Sequence, residues 1–135
     1  MSFKKILLWT IIGLGIITFI LLAIVYSFMD MNLSNADGKG ELVDTIESPD
    51  NNYRADTYII YGNTPDKHQV RVSVTSLKNN QKFKDTTIYW LYPANKDLPK
   101  INWLSEEIIE IDHKEININN KATYYNWQKD ESLAN

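Results

Sequence analysis

An uncharged apolar run, residues 6–28, constrains this chain more than any other feature. It reads ILLWTIIGLGIITFILLAIVYSF and contains no charged residue, proline, asparagine or glutamine. A helix rises about 1.5 Å per residue and the hydrocarbon core of a bilayer is about 30 Å thick, so roughly 20 apolar residues span it. Trp9 and Tyr26 lie near the two ends, where amphipathic rings favour the membrane interface. The run therefore predicts a transmembrane helix over residues 6–28.

A cleaved signal peptide is the alternative interpretation of this run. Signal peptides have a shorter apolar region and small residues before the cleavage site. Large side chains surround Ala23 in the segment LLAIVYSFMD, and the chain has no cysteine for a lipoprotein anchor. We therefore expect the helix to be retained as an anchor.

The charges that flank the run predict its orientation. Lys4 and Lys5 precede it, Asp30 follows it, and the next basic residue is Lys39. Because basic residues favour the cytoplasmic side, residues 1–5 are expected in the cytoplasm and the rest of the chain beyond the membrane. This predicts a single-pass protein of the cell membrane with an extracytoplasmic C-terminal part.

Composition narrows the function of the extracytoplasmic part. Two of the 14 basic residues are Lys4 and Lys5, and all 17 acidic residues follow the apolar run, so the outer part has a net charge near −5. This argues against nucleic acid as a partner. The absence of cysteine excludes disulfides and cysteine-ligated zinc, and it favours a Gram-positive type of setting.

The chain beyond the apolar run divides by composition. Residues 29–40 are polar and read as a short flexible tether, residues 41–128 as one small domain, and residues 129–135 as a polar tail. The domain shows short β-type segments and no convincing helical period. Val70, Val72 and Val74 alternate with Arg71, Ser73 and Thr75, which predicts one buried and one solvated face of a strand.

These segments predict a mainly-β domain, a small antiparallel sandwich or a curled meander. The expected strands are residues 42–47, 53–61, 69–77, 86–92, 101–104, 107–111 and 115–118, with a tight hairpin at Asp112-His113-Lys114.

Several short patterns carry a resemblance to a known family. They are Gly40-Glu41-Leu42, Ser48-Pro49-Asp50 followed by Tyr53, the Val70/Val72/Val74 strand, Ile88-Tyr89-Trp90 and Ile101-Asn102-Trp103. Together they resemble a family of small single-pass membrane proteins of bacilli and related Gram-positive bacteria that carry a domain of unknown function. The resemblance covers nearly the whole chain, and it implies no activity, cofactor or catalytic residue.

Residues that carry catalytic or metal chemistry are sparse. His68 and His113 are the two histidines, and no G-x-S-x-G or equivalent nucleophile motif accompanies them. Glu106, Glu107 and Glu110 belong to an acidic stretch that continues through Asp112 to Glu115. Alternate strand residues point to opposite faces, so this stretch is expected to be solvated rather than to bind a metal. We predict no catalytic residue, cofactor or metal.

Aromatic residues give the best functional hint in the sequence. Exposed rings would form a binding surface for a glycan, a peptide or a protein, whereas buried rings would form the core. The candidates for partner binding are Tyr89, Trp103, Tyr124 and Trp127.

The sequence thus predicts a non-catalytic, membrane-anchored binding or accessory module. Its partners would be the membrane and an envelope component or a neighbouring membrane protein. An immunity or protective protein held at the membrane is an alternative, and a small cell-surface hydrolase is a second.

Overall fold

The computed structural model describes residues 1–28, 32–78, 81–94 and 97–130. The chain forms two compact units, Met1–Met31 and Asn32–Asn135.

The first unit is one long helix, α1, over Phe3–Phe28. Its two threonine hydroxyls are satisfied within the helix, since Thr10 and Thr18 donate to the carbonyls of Ile6 and Leu14 at 2.9 Å each. Within the described residues, Phe3–Tyr26 is the single helix long and apolar enough to cross a membrane, and its apolar stretch is not buried by other parts of the protein. By length and composition it fits a membrane anchor or a signal sequence.

The second unit contains eight strands within the described residues. They are β1 (Glu41–Glu47), β2 (Tyr53–Ile60), β3 (Gln69–Ser76), β4 (Thr86–Leu91), β5 (Ile101–Trp103), β6 (Ile108–Ile111), β7 (Lys114–Asn117) and β8 (Tyr125–Asn126). They form a five-stranded sheet of order β1-β2-β3-β4-β8 and a three-stranded sheet of order β5-β6-β7. All pairs are antiparallel except the short β4–β8 pair. The predicted mainly-β, antiparallel fold is confirmed, and the sheets do not close into a barrel.

Both sheets contribute to one hydrophobic core. Its fully buried members include Val72 and Val74 from the larger sheet and Ile109, Ile111 and Ile116 from the smaller one. Burying each aliphatic side chain contributes about 1.5–3 kcal/mol. The core therefore accounts for the alternation of Val70, Val72 and Val74 in β3.

The other face of β3 is also buried, contrary to the prediction of a solvated face. Arg71 is 1% exposed and Ser73 is 0% exposed. The cover comes from residues 32–40, named here the leading segment. The Arg71 Nε donates to the carbonyl of Lys39 at 2.6 Å, and the Asp37 carboxylate accepts the Thr87 amide at 2.9 Å.

The leading segment is therefore not the flexible tether expected for residues 29–40, of which 29–31 lie outside the described residues. It begins with a 3₁₀ turn over Leu33–Ala36, and Ala36 is completely buried. It ends at Gly40, whose φ is +95°. A Cβ at this position would lie 2.9 Å from the carbonyl oxygen of Ile59, so only glycine fits.

A bulge in β4 explains a second departure from simple alternation. Val72 pairs with Tyr89 but the next residue, Ser73, pairs with Thr87, which leaves Ile88 as an extra residue. Ile88 and Tyr89 consequently both belong to the core, whereas strict alternation would place them on opposite faces.

The turn before β2 is held by an acidic residue from the loop after β5. The Glu106 carboxylate accepts hydrogen bonds from Ser48 Oγ at 2.8 Å, from Asn52 Nδ2 at 2.9 Å, and from the Asp50 amide. Ser48 Oγ also accepts the Tyr53 amide at 3.0 Å. Glu106 is thus a structural clamp between the two sheets and not part of a solvated acidic face.

Candidate functional site

The candidate site is a groove of about 500 Å³ beside Tyr124. The leading segment forms one wall, the start of β4 the floor, and the turn before β8 the other wall. The residues that line it are Asn32, Leu33, Ser34, Asp37, Thr86, Thr87, Lys121, Ala122, Tyr124, Asn126 and Lys129. This set, named here the Tyr124 groove, combines hydroxyls, amides, two ammonium groups and an aromatic ring.

Side-chain caps fix both walls of the Tyr124 groove. The Asn32 carboxamide accepts the Ser34 amide at 3.3 Å and starts the 3₁₀ turn of the leading segment. The Asn120 carboxamide accepts the Ala122 amide at 3.1 Å and starts the turn Lys121–Thr123. Asparagine favours such positions because its short side chain reaches the backbone two residues on. The walls are therefore set by local hydrogen bonds.

A smaller groove of about 280 Å³ adjoins the first. Tyr124, Asn126 and Lys129 line both grooves, and Lys114 and Tyr125 line the second. The Lys114 ammonium lies 4.7 Å from the centre of the Tyr125 ring, within cation–π range. The two grooves thus present a basic surface on either side of Tyr124.

The charges that face these grooves are unbalanced toward positive. The two acids, Asp37 and Asp130, are engaged within the protein, because Asp37 accepts the Thr87 amide and Asp130 accepts the Tyr125 hydroxyl at 2.8 Å. In the described part of the chain the ion pairs are Arg54–Asp56 and Arg71–Asp85, so neither Lys121 nor Lys129 is ion-paired there. The two linings together contain three ammonium groups and two carboxylates, so a net positive charge is left to attract an anion.

The tyrosines beside the grooves stay neutral at physiological pH. Burial raises the pKa of Tyr124. Burial, together with the hydrogen bond to Asp130, raises the pKa of Tyr125 to about 12. The Tyr124 hydroxyl donates to the carbonyl of Ile118 at 2.5 Å. Because that bond fixes the ring, Tyr124 offers a rigid aromatic wall rather than a mobile hydroxyl.

The four aromatic residues predicted for partner binding do not share one surface. Tyr89 is 2% exposed and lies in the core, 5.0 Å from the Tyr125 ring, so its ring is not available to a partner. Trp103 is half-buried and its Nε1 donates to the Ile46 carbonyl at 3.1 Å, which covers the outer edge of β1. Of the four, Tyr124 is the one that lines a groove described here.

Trp127, the remaining candidate, belongs to a separate aromatic cluster. Its ring packs edge-on against Trp90 at 6.1 Å and lies 4.8 Å from the Tyr92 ring. Trp90 is held in turn by the Gln69 carboxamide, which accepts its indole N–H at 2.8 Å. The packing of Trp127 gives it a structural role at the edge of the larger sheet.

Both histidines have structural positions. The His68 Nδ1 accepts the Gly62 amide at 3.0 Å, and its ring packs edge-on against Tyr61. His113 occupies the second position of the β6–β7 turn with a φ of 66°. Within the described residues, no group of three or more histidine or acidic side chains is arranged to hold a metal ion.

No local sequence pattern predicts that the residues of the Tyr124 groove lie together. Asn32 and Lys129 are nearly a hundred positions apart, and each reads alone as an ordinary residue of a polar segment. The asparagine caps at Asn32 and Asn120 are a local signal, but they indicate turns and not a shared groove.

Comparison with known proteins gives the family. A family model with the description "Family of unknown function (DUF5412)" matches residues 3–130. The chain belongs to this family. No curated protein and no solved structure matches the chain. The DUF5412 match spans α1 and the β domain together, and it assigns no activity to the Tyr124 groove.

Proposed function

We propose that this DUF5412 protein is a single-pass membrane protein whose β domain is a non-catalytic, extracytoplasmic binding module. The anchor is supported by α1, whose apolar side chains are exposed along the length of the helix. Leaving so many apolar side chains in water would cost on the order of tens of kcal/mol, so the helix requires an apolar environment. Retention of the helix follows from the large residues around Ala23.

The proposed orientation places the N-terminus in the cytoplasm. Lys4 and Lys5 precede the apolar stretch, and no basic residue follows it before Lys39. The β domain would then face the envelope, where an accessory module meets polymers or neighbouring membrane proteins.

The single observation that carries the binding role is the Tyr124 groove. Its volume falls within the range of about 300–1,000 Å³ that binding sites for small ligands occupy. It contains two ammonium groups without ion-pair partners in the described residues, beside the fixed ring of Tyr124. Its amides, hydroxyls, ammonium groups and aromatic ring are groups suited to recognition, which supports a binding role.

Site-specific crosslinking in intact cells tests this role. A photoreactive residue replaces Ala122, which is exposed and lines the groove, in the full-length chain. The matched control places the same residue at the exposed Lys67, in the turn before β3. We expect a discrete product from position 122 and none from position 67.

The same experiment separates the domain from its anchor. Residues 32–135 are carried on an unrelated transmembrane helix, so that the leading segment stays with the domain it covers. Capture of the same product through position 122 supports the β domain as the binding module. Loss of the product with the foreign helix would assign the interface to α1, and equal products from both positions would reject the groove.

A further inference from the structure

We infer that the Tyr124 groove binds an anionic glycan, an inference that rests on the proposed binding function and specifies its ligand. The described geometry provides three features that such a ligand needs. These are cations for its acidic groups, hydrogen-bonding side chains for its hydroxyls, and a rigid ring for its apolar sugar faces.

The cations come from three sides of the two adjoining grooves. Lys121 projects from the turn before β8, Lys129 from the turn after it, and Lys114 from the start of β7. Lysine binds phosphate and carboxylate groups as a point charge on a flexible stem. These lysines give the two grooves a net positive lining although the outer part of the chain is acidic, and this favours an anionic ligand over a cationic one.

Both acids that line the two grooves already accept hydrogen bonds from the protein. Asp37 accepts the Thr87 amide at 2.9 Å, and Asp130 accepts the Tyr125 hydroxyl at 2.8 Å. Both carboxylates keep their negative charge, but the three lysines outnumber them, so the two linings together stay net positive by one charge. An anionic ligand would make use of this excess positive charge, whereas a neutral ligand would not.

The rest of the lining suits sugar hydroxyls. Asn32 and Ser34 in one wall and Thr86 in the floor add an amide and two hydroxyls to a lining that also contains the ring of Tyr124. Hydroxyls and amides both donate and accept, as sugar hydroxyls require, and aromatic rings present an apolar face with a polar rim. A lone inorganic anion would use the lysines and some of these donors but not the face of the Tyr124 ring.

The second groove favours a ligand of more than one sugar unit. It continues past Tyr124, Asn126 and Lys129 toward Lys114 and Tyr125. A chain that bears repeated acidic groups can contact the lysines of both grooves at once. Nucleic acid is the less favoured polyanion, since the outer part of the chain has a net charge near −5.

Calorimetric titration of the full-length protein in detergent micelles tests the ligand class. The probes are an oligogalacturonate, a phosphorylated dextran, neutral dextran and inorganic phosphate. We expect at least one of the two anionic glycans to bind, with an affinity that falls as salt is raised. We expect neutral dextran and inorganic phosphate to bind far more weakly than that glycan. The two anionic probes distinguish carboxylate from phosphate as the recognised group.

A pair of double variants locates the site. K121Q/K129Q removes both groove cations, and we expect it to weaken binding about tenfold or more because it removes charge-assisted hydrogen bonds. K67Q/K84Q makes the same change of charge at exposed lysines outside the two grooves and is expected to leave the affinity unchanged. Matching melting temperatures would show that both variants are folded.

Three results would overturn the inference. They are no binding of either anionic glycan up to about 1 mM, equal binding of neutral dextran or of inorganic phosphate, and equal losses in the two double variants. A crosslinked product through position 122 together with any of these results would keep the binding function and reject the ligand class. Absence of that product would instead reject the binding function itself.

Discussion

At the scale of single residues, Arg71 connects the leading segment to the larger sheet. Its guanidinium pairs with the Asp85 carboxylate at 3.0 and 2.9 Å, donates to the Lys39 carbonyl at 2.6 Å, and lies 3.9 Å from the centre of the Tyr58 ring. An ion buried this deeply is tolerated only when its donors are satisfied. The leading segment provides one of the acceptors for Arg71. The position of this segment on the sheet and the burial of the charged guanidinium therefore depend on each other.

We therefore expect Arg71→Met to lower the free energy of unfolding by about 2–4 kcal/mol. The figure lies below the upper range for breaking a buried ion pair because Asp85 is about a third exposed. Urea denaturation of the full-length protein in micelles, followed by tryptophan fluorescence, measures it. Lys84→Met removes an exposed cation next to Asp85 and is the matched control, with an expected change within about 0.5 kcal/mol. Equal losses in both variants would contradict a special role for Arg71.

The Arg71–Asp85 ion pair also makes the free energy of unfolding depend on pH. Burial pushes the pKa of Asp85 upward, but the hydrogen bonds and charge of Arg71 and the Gly38 amide outweigh it and bring the pKa below its ordinary value. A depressed carboxylate pKa stabilises the fold at pH values above the unfolded pKa of about 4, and this stability is lost as the pH falls below it. As the pH falls through this range, we expect the free energy of unfolding to decrease less in the Arg71→Met variant than in the native chain.

At the scale of elements, the β6–β7 hairpin has a continuous pairing register and a turn in which both residues have positive φ. Ile111 pairs directly with Lys114, so the turn has two residues, Asp112 and His113, with φ angles of 46° and 66°. Both angles lie in the left-handed region that two-residue turns require and that favours asparagine and glycine. Asp112 has a second role, since its carboxylate accepts the Lys100 amide at 2.9 Å. His113 has no comparable bond in the described part of the chain.

We expect His113→Gly to raise the free energy of unfolding by about 0.5–1 kcal/mol. Glycine adopts the left-handed conformation without the steric cost that a Cβ imposes. This gain in free energy exceeds the destabilisation that comes from the greater entropy of glycine in the unfolded chain. Thermal unfolding followed by circular dichroism measures the change. Glu115→Gly, at an exposed position of β7, is the control and should destabilise, since glycine weakens a strand. A lower melting temperature for His113→Gly would show that the histidine side chain makes a contact that stabilises the turn.

At the scale of the whole molecule, local patterns predicted the elements but not how they cover one another. The apolar run predicted α1, and alternation with turn residues placed β1 to β7 to within a few residues. Alternation reports one sheet face at a time, so it could not show that the leading segment covers Arg71 and Ser73. It also could not register the extra residue Ile88, which a bulge adds to β4.

The candidate site was less predictable than the fold. The sequence indicates Tyr124 as a candidate aromatic residue, but the groove around it depends on Asn32, Thr86 and Lys129, which only the folded chain brings together. Two of the patterns that carry the family resemblance contain residues with structural roles. Ser48 is held by Glu106 and Ile88 is fully buried. Binding residues contributed by separate loops leave no local period to detect.

Removing the leading segment tests whether it belongs to the β domain. We compare fragments 32–130 and 41–130, and we expect the longer fragment to unfold cooperatively. The shorter one loses the bonds of Asp37, Gly38 and Lys39 to the sheet and uncovers Arg71. At about 0.5–1.5 kcal/mol for each bond, its free energy of unfolding should fall by about 3 kcal/mol and its melting temperature by about 10 °C or more.

Lys39→Gln in the longer fragment separates the backbone from the side chain. The bond to Arg71 uses the Lys39 carbonyl, so this substitution should leave the melting temperature unchanged. If fragment 41–130 is as stable as fragment 32–130, residues 32–40 act as a tether and the Tyr124 groove loses a fixed wall. If it is destabilised as expected, the segment that follows the membrane helix is part of the folded domain. Occupancy of the groove and order in the leading segment would then be linked, because a ligand that contacts Asn32 and Lys121 together stabilises both walls.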